Sequence, residues 1–278
     1  MSSNNPFSNY DGSDHYNEQS QSQNAFDQFS AEDAVSQMYS QNSATVGYDA
    51  DTFRVNNGAF ASVREQSVLV KSMFFMCLAL FISAITAFIG FAWGKNDPYA
   101  YIGTMIPAII IELIVFGIAT FAMKKDNFVI SAIGYFAYSA ISGFTLSVIF
   151  FNYQLGSIVT IFIITAVMFG ALALYGFTTK ADLTPLGSFL IMGLVGIVLV
   201  GVLNLFLGSE MISNIVAVVG VVVFAGLTAY DIQKMKQINI DRADSSELTV
   251  AMYCGLQLYL DFINLFLKLL RLFAKRND

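Results

Sequence analysis

The segment Val250–Phe273 reads VAMYCGLQLYLDFINLFLKLLRLF, and its 24 residues are enough to cross the hydrocarbon core of a bilayer. It is not uniformly apolar, because polar side chains recur every three or four residues along it and just beyond it. They are Gln257, Asp261, Asn264, Lys268, Arg271 and Lys275. At about 100° per residue, all of them lie within roughly 40° of one line along a helix. A polar stripe on an apolar helix faces protein or a water-filled path, so this segment is predicted to be a central helix surrounded by the others.

Asp261 lies near the middle of this segment. A carboxylate at bilayer depth costs on the order of 2.5–3.5 kcal/mol on insertion scales, which makes such a residue a functional candidate. The alternative is a protonated Asp261 that only hydrogen-bonds a neighbouring helix. A second carboxylate, Asp231, ends the preceding apolar segment and favours the functional interpretation.

The composition is that of a membrane protein. Of the 278 residues, 56% are hydrophobic and 12% are charged, with a mean hydropathy of +0.62. Soluble domains are about half apolar and a quarter charged. The lipid bilayer is therefore the partner that the composition predicts. No basic tract with interleaved aromatic residues suggests nucleic-acid binding.

Residues 1–60 are a polar tail rich in Ser, Asn, Gln and Asp. From Met1 to Thr52 the tail has acidic residues and no Lys or Arg. Because it lacks an apolar run that could build a core, it is predicted to be a disordered acidic N-terminal tail. Its scattered Phe and Tyr side chains leave open a second use, as a docking segment for a partner.

Seven apolar segments follow within residues 61–278, each with about the 20 residues needed to span a bilayer. They run approximately over Val68–Trp93, Tyr99–Met123, Phe128–Phe151, Leu155–Phe177, Leu186–Leu207, Met211–Met235 and Val250–Phe273. Most links are short, which makes consecutive helices antiparallel neighbours. The predicted fold is an all-α membrane protein of seven transmembrane helices.

The charges in the links set the orientation, because Lys and Arg accumulate on the cytoplasmic side. The loops opposite the N-terminal tail carry only Lys95. The loops on the side of the tail contain Arg54, Arg64, Lys124, Lys125, Lys180, Lys234, Lys236 and Arg242. This places the tail in the cytoplasm, and seven full spans then place the C-terminus outside. The basic residues after Asp261 prefer the cytoplasm, so a last segment that re-enters and returns stays open as an alternative.

The sixth segment ends in GLTAYDIQKMK, residues 226–236. If its helix runs to about Ile238, Asp231 lies roughly 10 Å from that end, and Asp261 lies roughly 16 Å from Val250 on the returning helix. Two carboxylates at one depth in a poorly solvated place cannot both ionise cheaply, so they would share a proton. Such a pair responds to pH. In the alternative, Asp231 pairs with Lys234 at the membrane surface.

The stretch GLTAYDIQKMK and the stretch LYLDFINLF, residues 258–266, resemble the signature stretches of the Bax-inhibitor (transmembrane BAX inhibitor motif) family. The resemblance covers about residues 62–276 and points to a bacterial member. It implies a seven-helix fold whose last helix is surrounded by the other six. It also implies a pH-sensitive calcium leak, with Asp231 and Asp261 as the pH sensor and gate near the cytoplasmic end.

The same resemblance implies a basic latch at the cytoplasmic end of the second helix. Here that end reads AMKKDN, so Lys124 or Lys125 would take the role. A Lys is a flexible point charge and lacks the forked geometry of Arg. The latch assignment therefore departs from the family pattern more than the aspartate pair does.

Two residues are candidates for an ion path, Glu112 in PAIIIELIVFG and Asn264 on the polar stripe. Asp231 and Asp261 are the candidate metal-contacting residues. Calcium prefers several oxygen ligands, and these side chains with Asn204 supply few of them. A weak transit path is therefore favoured over a tight site. In the alternative, Glu112 is protonated and bonded to a Ser, a Tyr or a backbone carbonyl.

These observations favour a cation leak, chiefly for Ca²⁺, that needs no cofactor and opens as acid neutralises the aspartate pair. An intramembrane aspartyl protease would also use two membrane aspartates. That class has Gly-x-Gly before one of its aspartates, whereas Asp261 is preceded by Leu258-Tyr259-Leu260, so the chain is predicted not to be an enzyme. A third hypothesis is an interaction protein that regulates a membrane protease or stress response without transport. The resemblance predicts a bacterial inner membrane.

Overall fold

The computed structural model describes residues 50–238 and 246–277, with side chains from residue 68 onward. The described residues are all-helical. The helices are α1 (Ala50–Asn96), α2 (Pro98–Lys124), α3 (Phe128–Leu146), α4 (Ile149–Asn152), α5 (Leu155–Thr178), α6 (Thr184–Leu207), α7 (Glu210–Lys236) and α8 (Glu247–Phe273). The part of the predicted tail before Ala50 lies outside the described residues, so its disorder and its docking role stay predictions.

In the part of the chain that the structure describes, seven helical stretches are long and apolar enough to cross a membrane, which confirms the predicted fold class. They are Val68–Asn96, Pro98–Lys124, Phe128–Asn152, Leu155–Thr178, Thr184–Leu207, Glu210–Lys236 and Glu247–Phe273. The third stretch combines α3 with the short helix α4. The two are separated at Ser147, whose backbone N–H donates to the carbonyl of Phe144 at 3.1 Å and so tightens the turn.

The helix ends follow from local sequence. The side chains of Asp97, Asn127, Ser209 and Ser246 each accept a hydrogen bond from the backbone N–H three residues later, at the start of α2, α3, α7 and α8. These are favoured N-cap residues because their side chains satisfy a free N–H of the first turn. The C-cap of α6 is Gly208, whose positive φ of 61° is easiest for glycine.

Helix α8 is the central element of the bundle, as predicted. In its most apolar window 61% of the residues are buried, whereas the other six spans range from 11% to 44%. It packs against α2, α3, α5 and α7. Its apolar sides supply fully buried side chains such as Leu258, Tyr259 and Leu265. The polar stripe therefore lies on the helix that is best shielded from lipid.

The C-terminal residues are bound to the end of the bundle that lies opposite the basic loops. The N–H of Gln154 donates to the carbonyl of Lys275 at 3.0 Å, and the N–H of Asn277 donates to the carbonyl of Asn152 at 2.9 Å. Arg276 forms an ion pair with Glu210 at 3.2 Å. Because α8 is one continuous helix from Glu247 to Phe273 that runs from one end of the bundle to the other, the structure favours a full span over a re-entrant segment.

The opposite end of α8 is bound to the basic, cytoplasmic end of the bundle. Glu247, in its first turn, pairs with Lys71 of α1 at 2.7 Å. The N–H of Ser246 donates to Asp126, in the link between α2 and α3, at 2.9 Å. This backbone hydrogen bond lowers the pKa of Asp126 below its ordinary value.

A thiol-labelling experiment tests this topology. In a chain whose Cys77 and Cys254 are replaced by Ser, Lys275→Cys should react with a membrane-impermeant maleimide added to intact spheroplasts. Lys180→Cys, in a basic loop, is the matched control and should react only after the membrane is permeabilised. The reverse pattern, or labelling of both thiols from one side, would show that α8 does not cross.

Close contact between α5 and α7 depends on Gly176. A Cβ atom added there would meet the backbone carbonyl oxygen of Ala229 in α7, which cannot rotate away. Gly170 lies on the same helix, and a Cβ atom added there would have nothing within 4 Å. Substituting each glycine by Ala therefore distinguishes the effect of close helix packing, at Gly176, from the effect of helix propensity alone, at Gly170.

We expect Gly176→Ala to destabilise the protein by about 1–3 kcal/mol, since the two helices must move apart. Gly170→Ala should be neutral or stabilising by up to about 1 kcal/mol, because Ala favours the helix. The midpoint of thermal unfolding in one neutral detergent measures both. Equal effects of the two substitutions would contradict the proposed close contact.

Candidate functional site

The candidate site is the pair of carboxyl groups that Asp231 of α7 and Asp261 of α8 bring together. The two groups are close enough to hydrogen-bond each other. Asp261 is 7% exposed, and Asp231 is half-buried. No donor among the described residues reaches Oδ2 of Asp261. Two ionised carboxylates contain no donor, so a hydrogen bond between them requires a proton on one of them.

The helix that carries Asp231 is fixed by Gln233. Its side-chain oxygen accepts a hydrogen bond from the N–H of Leu183 at 2.8 Å, and its nitrogen donates to the carbonyl of Ala181 at 2.7 Å. Gln233 is buried, and it binds the end of α7 to the link between α5 and α6. We did not predict this role, although a Gln among the apolar and basic residues of GLTAYDIQKMK is a signal that could have pointed to it.

The helix that carries Asp261 is fixed by Tyr259. Its hydroxyl is 2.8 Å from Oγ of Ser83 in α1, and that Ser83 hydroxyl lies 2.7 Å from the carbonyl of Ser139 in α3. All three residues are buried. The Tyr259 hydroxyl thus connects α8 to two outer helices, two residues before the carboxylate. No local pattern in the sequence predicts this partner.

Three cavities follow the polar stripe of α8. The inner cavity, of about 220 Å³, is lined among others by Lys124, Asp231, Lys234 and Gln257. The central cleft, of about 600 Å³, lies between α6, α7 and α8. Its polar lining consists of Tyr230, Asp231, Lys234, Gln257, Asp261, Asn264 and Lys268. The outer vestibule, of about 490 Å³, lies at the far end of the same three helices.

The three cavities form a series because neighbouring ones share lining residues. Asp231, Lys234 and Gln257 line both the inner cavity and the central cleft. Lys268 lines both the central cleft and the outer vestibule. The stripe therefore faces cavities between helices from Gln257 to Arg271, as its spacing predicts. Asp231 lines both the inner cavity and the central cleft, whereas Asp261 lines the central cleft.

The two candidate latch residues lie in different surroundings. Lys124 lines the inner cavity together with Asp231. The ammonium of Lys125 instead lies over the ring of Phe121, 4.6 Å from its centroid. In the part of the chain that the structure describes, neither lysine pairs with an aspartate within 4 Å. Lys234 acts electrostatically on Asp231 and lines both the inner cavity and the central cleft with it. It too forms no ion pair within 4 Å among the described residues.

The two candidate ion-path residues also lie in different surroundings. Asn264 lines the central cleft, and its Nδ2 donates to the carbonyl of Leu260 at 2.8 Å, which leaves Oδ1 for a cation. Glu112 lines none of the three cavities. It accepts a hydrogen bond from Oγ1 of Thr145 at 2.9 Å. The partner is therefore a Thr hydroxyl, not the Ser, Tyr or backbone carbonyl of the alternative, and the role of Glu112 stays a prediction.

The aspartate pair supplies only part of a calcium coordination shell. Ca²⁺ takes six to eight oxygen ligands. Within residues 68–238 and 246–277 there is no group of three or more His, Cys, Asp or Glu side chains that could hold a metal. Water would have to complete the shell of an ion at Asp231 and Asp261, an arrangement that suits passage better than retention.

Comparison with known proteins agrees with the geometry. Residues 65–278 match the family model described as "Inhibitor of apoptosis-promoting Bax1". The inner membrane protein YbhL of Escherichia coli K12 is 46% identical over 175 residues, which are 62% of this chain and 75% of that protein. An uncharacterized protein of Borreliella burgdorferi is 38% identical over 227 residues, which are 77% of this chain and 97% of that protein.

A third relative is an uncharacterized membrane protein of Streptococcus pyogenes. It is 39% identical over 187 residues, which are 66% of this chain and 77% of that protein. The family match covers all seven helices that can cross a membrane and both aspartates of the pair. The chain therefore belongs to the Bax inhibitor-1 family and is a multi-pass inner membrane protein.

Proposed function

We propose that the protein is a pH-sensitive leak for cations, chiefly Ca²⁺, gated by Asp231 and Asp261. The observation that carries this proposal is the position of the pair. Its two carboxyl groups come from neighbouring helices and are within hydrogen-bonding reach of each other. Asp231 lies at the junction of the inner cavity and the central cleft, because it lines both, and Asp261 lines the central cleft. A group at that junction can control whether the cavities connect.

The charge of the pair determines how it acts. With one shared proton, the two carboxyl groups form a hydrogen bond that joins α7 to α8 and retain one negative charge. Lys124, which lines the inner cavity together with Asp231, would be attracted by that charge and is the favoured latch. A second proton removes the charge and with it the attraction to Lys124. The latch therefore weakens as the pH falls, and the leak rises.

Passage through the central cleft requires only weak coordination. Asp231, Asp261 and Oδ1 of Asn264 offer oxygen atoms along one side of the cleft. Water fills the other coordination positions of a passing ion, so the ion is not trapped. A leak of this kind needs no cofactor and no nucleotide.

An enzymatic role has less support. The family is not known as a family of enzymes. An aspartyl protease must bring a substrate backbone to its carboxylates, but Leu258 and Tyr259 before Asp261 are fully buried, at 0% exposure. Their bulk blocks the approach from that side of α8.

Calcium flux into proteoliposomes at pH 8, 7 and 6 tests the gate. The wild-type leak should rise severalfold between pH 8 and pH 6. Asp231→Asn and Asp261→Asn each leave a single carboxyl group that no longer shares a proton with a neighbour, so the pH dependence of their leak between pH 8 and pH 6 should differ from that of the wild type.

Glu112→Gln is the matched control for this experiment. It removes a carboxyl group that lies outside the three cavities, and it keeps a side-chain oxygen that can accept the hydrogen bond from Thr145. Its leak should follow the wild-type pH dependence. A wild-type leak that is flat from pH 8 to pH 6, or an Asp231→Asn variant with an unchanged profile, would refute the gate.

The latch is tested by two adjacent substitutions. Lys124→Ala should raise the leak at pH 8 severalfold, because it removes a cation that lines the inner cavity together with Asp231. Lys125→Ala removes the same charge one residue later, from above the ring of Phe121, and should leave the leak unchanged. The same flux assay compares them. Equal leaks in the two variants would exclude a specific latch at Lys124.

A further inference from the structure

The outer vestibule contains more positive charge than the protein compensates. Lys268, Arg271 and Arg276 line it, together with the single carboxylate of Glu210. Glu210 already pairs with Arg276 at 3.2 Å, and both side chains are mainly exposed. Lys268 and Arg271 are half-buried and form no ion pair with another described residue.

Arg271 also has an unsatisfied donor. Its Nε is buried and has no hydrogen-bond partner among the described residues. A buried donor without a partner is costly, and a charged one more so. At a membrane-spanning helix this cost rises further. Something that accepts hydrogen bonds and carries negative charge would compensate Lys268 and Arg271 together.

From these observations we infer that the outer vestibule binds an oxyanion of the phosphate class. The guanidinium of Arg271 offers the planar donor fork that suits phosphate oxygens. Lys268 adds a point charge, and its aliphatic part is held against α7, where a Cβ atom at Gly220 would lie 3.0 Å from it. Neither residue takes part in the aspartate gate.

The vestibule lining also offers a hydroxyl donor. Oγ of Ser213 accepts a hydrogen bond from Nδ2 of Asn204 at 2.6 Å, so the Ser213 proton is free to point into the vestibule. The vestibule further adjoins the first turn of α7, where free backbone N–H groups and the helix dipole favour an anion. A volume of about 490 Å³ leaves room for a phosphate group and water.

Two sources could supply this chemistry, inorganic phosphate outside the membrane or the headgroup of an anionic phospholipid. Either ligand would reduce the net positive charge at the outer end of the cavity series. Lys268 lines the central cleft as well as the vestibule, and unpaired cations there repel Ca²⁺. This consequence rests on the proposed leak, whereas binding of the oxyanion does not.

Calorimetric titration with inorganic phosphate tests the site in the full chain, purified in a neutral detergent at constant ionic strength. Wild-type protein should bind with a saturable isotherm, and Lys268→Gln and Arg271→Gln should each weaken binding about tenfold or more. Lys275→Gln is the matched control, because it removes the same charge from an exposed residue outside the vestibule. Equal binding by all four proteins would overturn the site.

Nanodiscs distinguish the two sources. If free phosphate does not bind, the thermal midpoint should be higher in discs that contain phosphatidylglycerol than in discs of phosphatidylcholine alone, and this difference should require Lys268 and Arg271 but not Lys275. That result assigns the site to a lipid headgroup. If neither phosphate nor phosphatidylglycerol has an effect that depends on Lys268 and Arg271, the inference is wrong.

A stability measurement separates an anion site from an ordinary structural role. Without phosphate or anionic lipid, Arg271→Gln should unfold at the same temperature as the wild type or higher, since it removes an uncompensated charge. A clearly lower midpoint would show that Arg271 is satisfied by the protein itself and would overturn the proposal. Because these measurements record binding and unfolding, their failure is distinguishable from failure of the calcium leak.

Discussion

The high cost of placing ionised and polar groups against lipid is the constraint on which the whole bundle depends. The sequence concentrates most of these groups on one face of one helix, α8. Placing this face against lipid would expose two cations, a carboxylate and two amides to hydrocarbon. The observed bundle avoids this by making α8 its most buried span and by turning the stripe toward cavities between α6 and α7.

Contact between two aspartates requires that both helices be held in place against carboxylate repulsion. Gln233 holds the end of α7 to the link between α5 and α6, and Tyr259 holds α8 to α1 and α3 through Ser83. Neither anchor lies on the polar stripe. The framework can therefore keep its hydrogen bonds while the charge of the pair changes, so a gate built on this pair would act through the space between α7 and α8 rather than through unfolding.

Hydropathy and helical periodicity were sufficient to predict the seven spans, the central position of α8 and a stripe that faces away from lipid. They could not distinguish Lys124 from Lys125, because neighbouring residues point about 100° apart and the rotation of α2 depends on its packing. They also could not assign Thr145 as the partner of Glu112, or find the anchors of Gln233 and Tyr259. Those contacts join residues that are distant in sequence, and no local pattern encodes them.

The stripe carries opposite charge at its two ends, and this asymmetry bears on how a cation could pass. Negative charge is concentrated in the aspartate pair near the cytoplasmic end, whereas Lys268 and Arg271 lie toward the outer end without carboxylate partners. A cation that enters from outside would meet repulsion before it reached any oxygen ligand. In the proposed leak, the outer end is therefore a second barrier, which an anion could lower by neutralising it. Proton binding at one end and anion binding at the other would then act on the same helix, through charges about two to three turns apart.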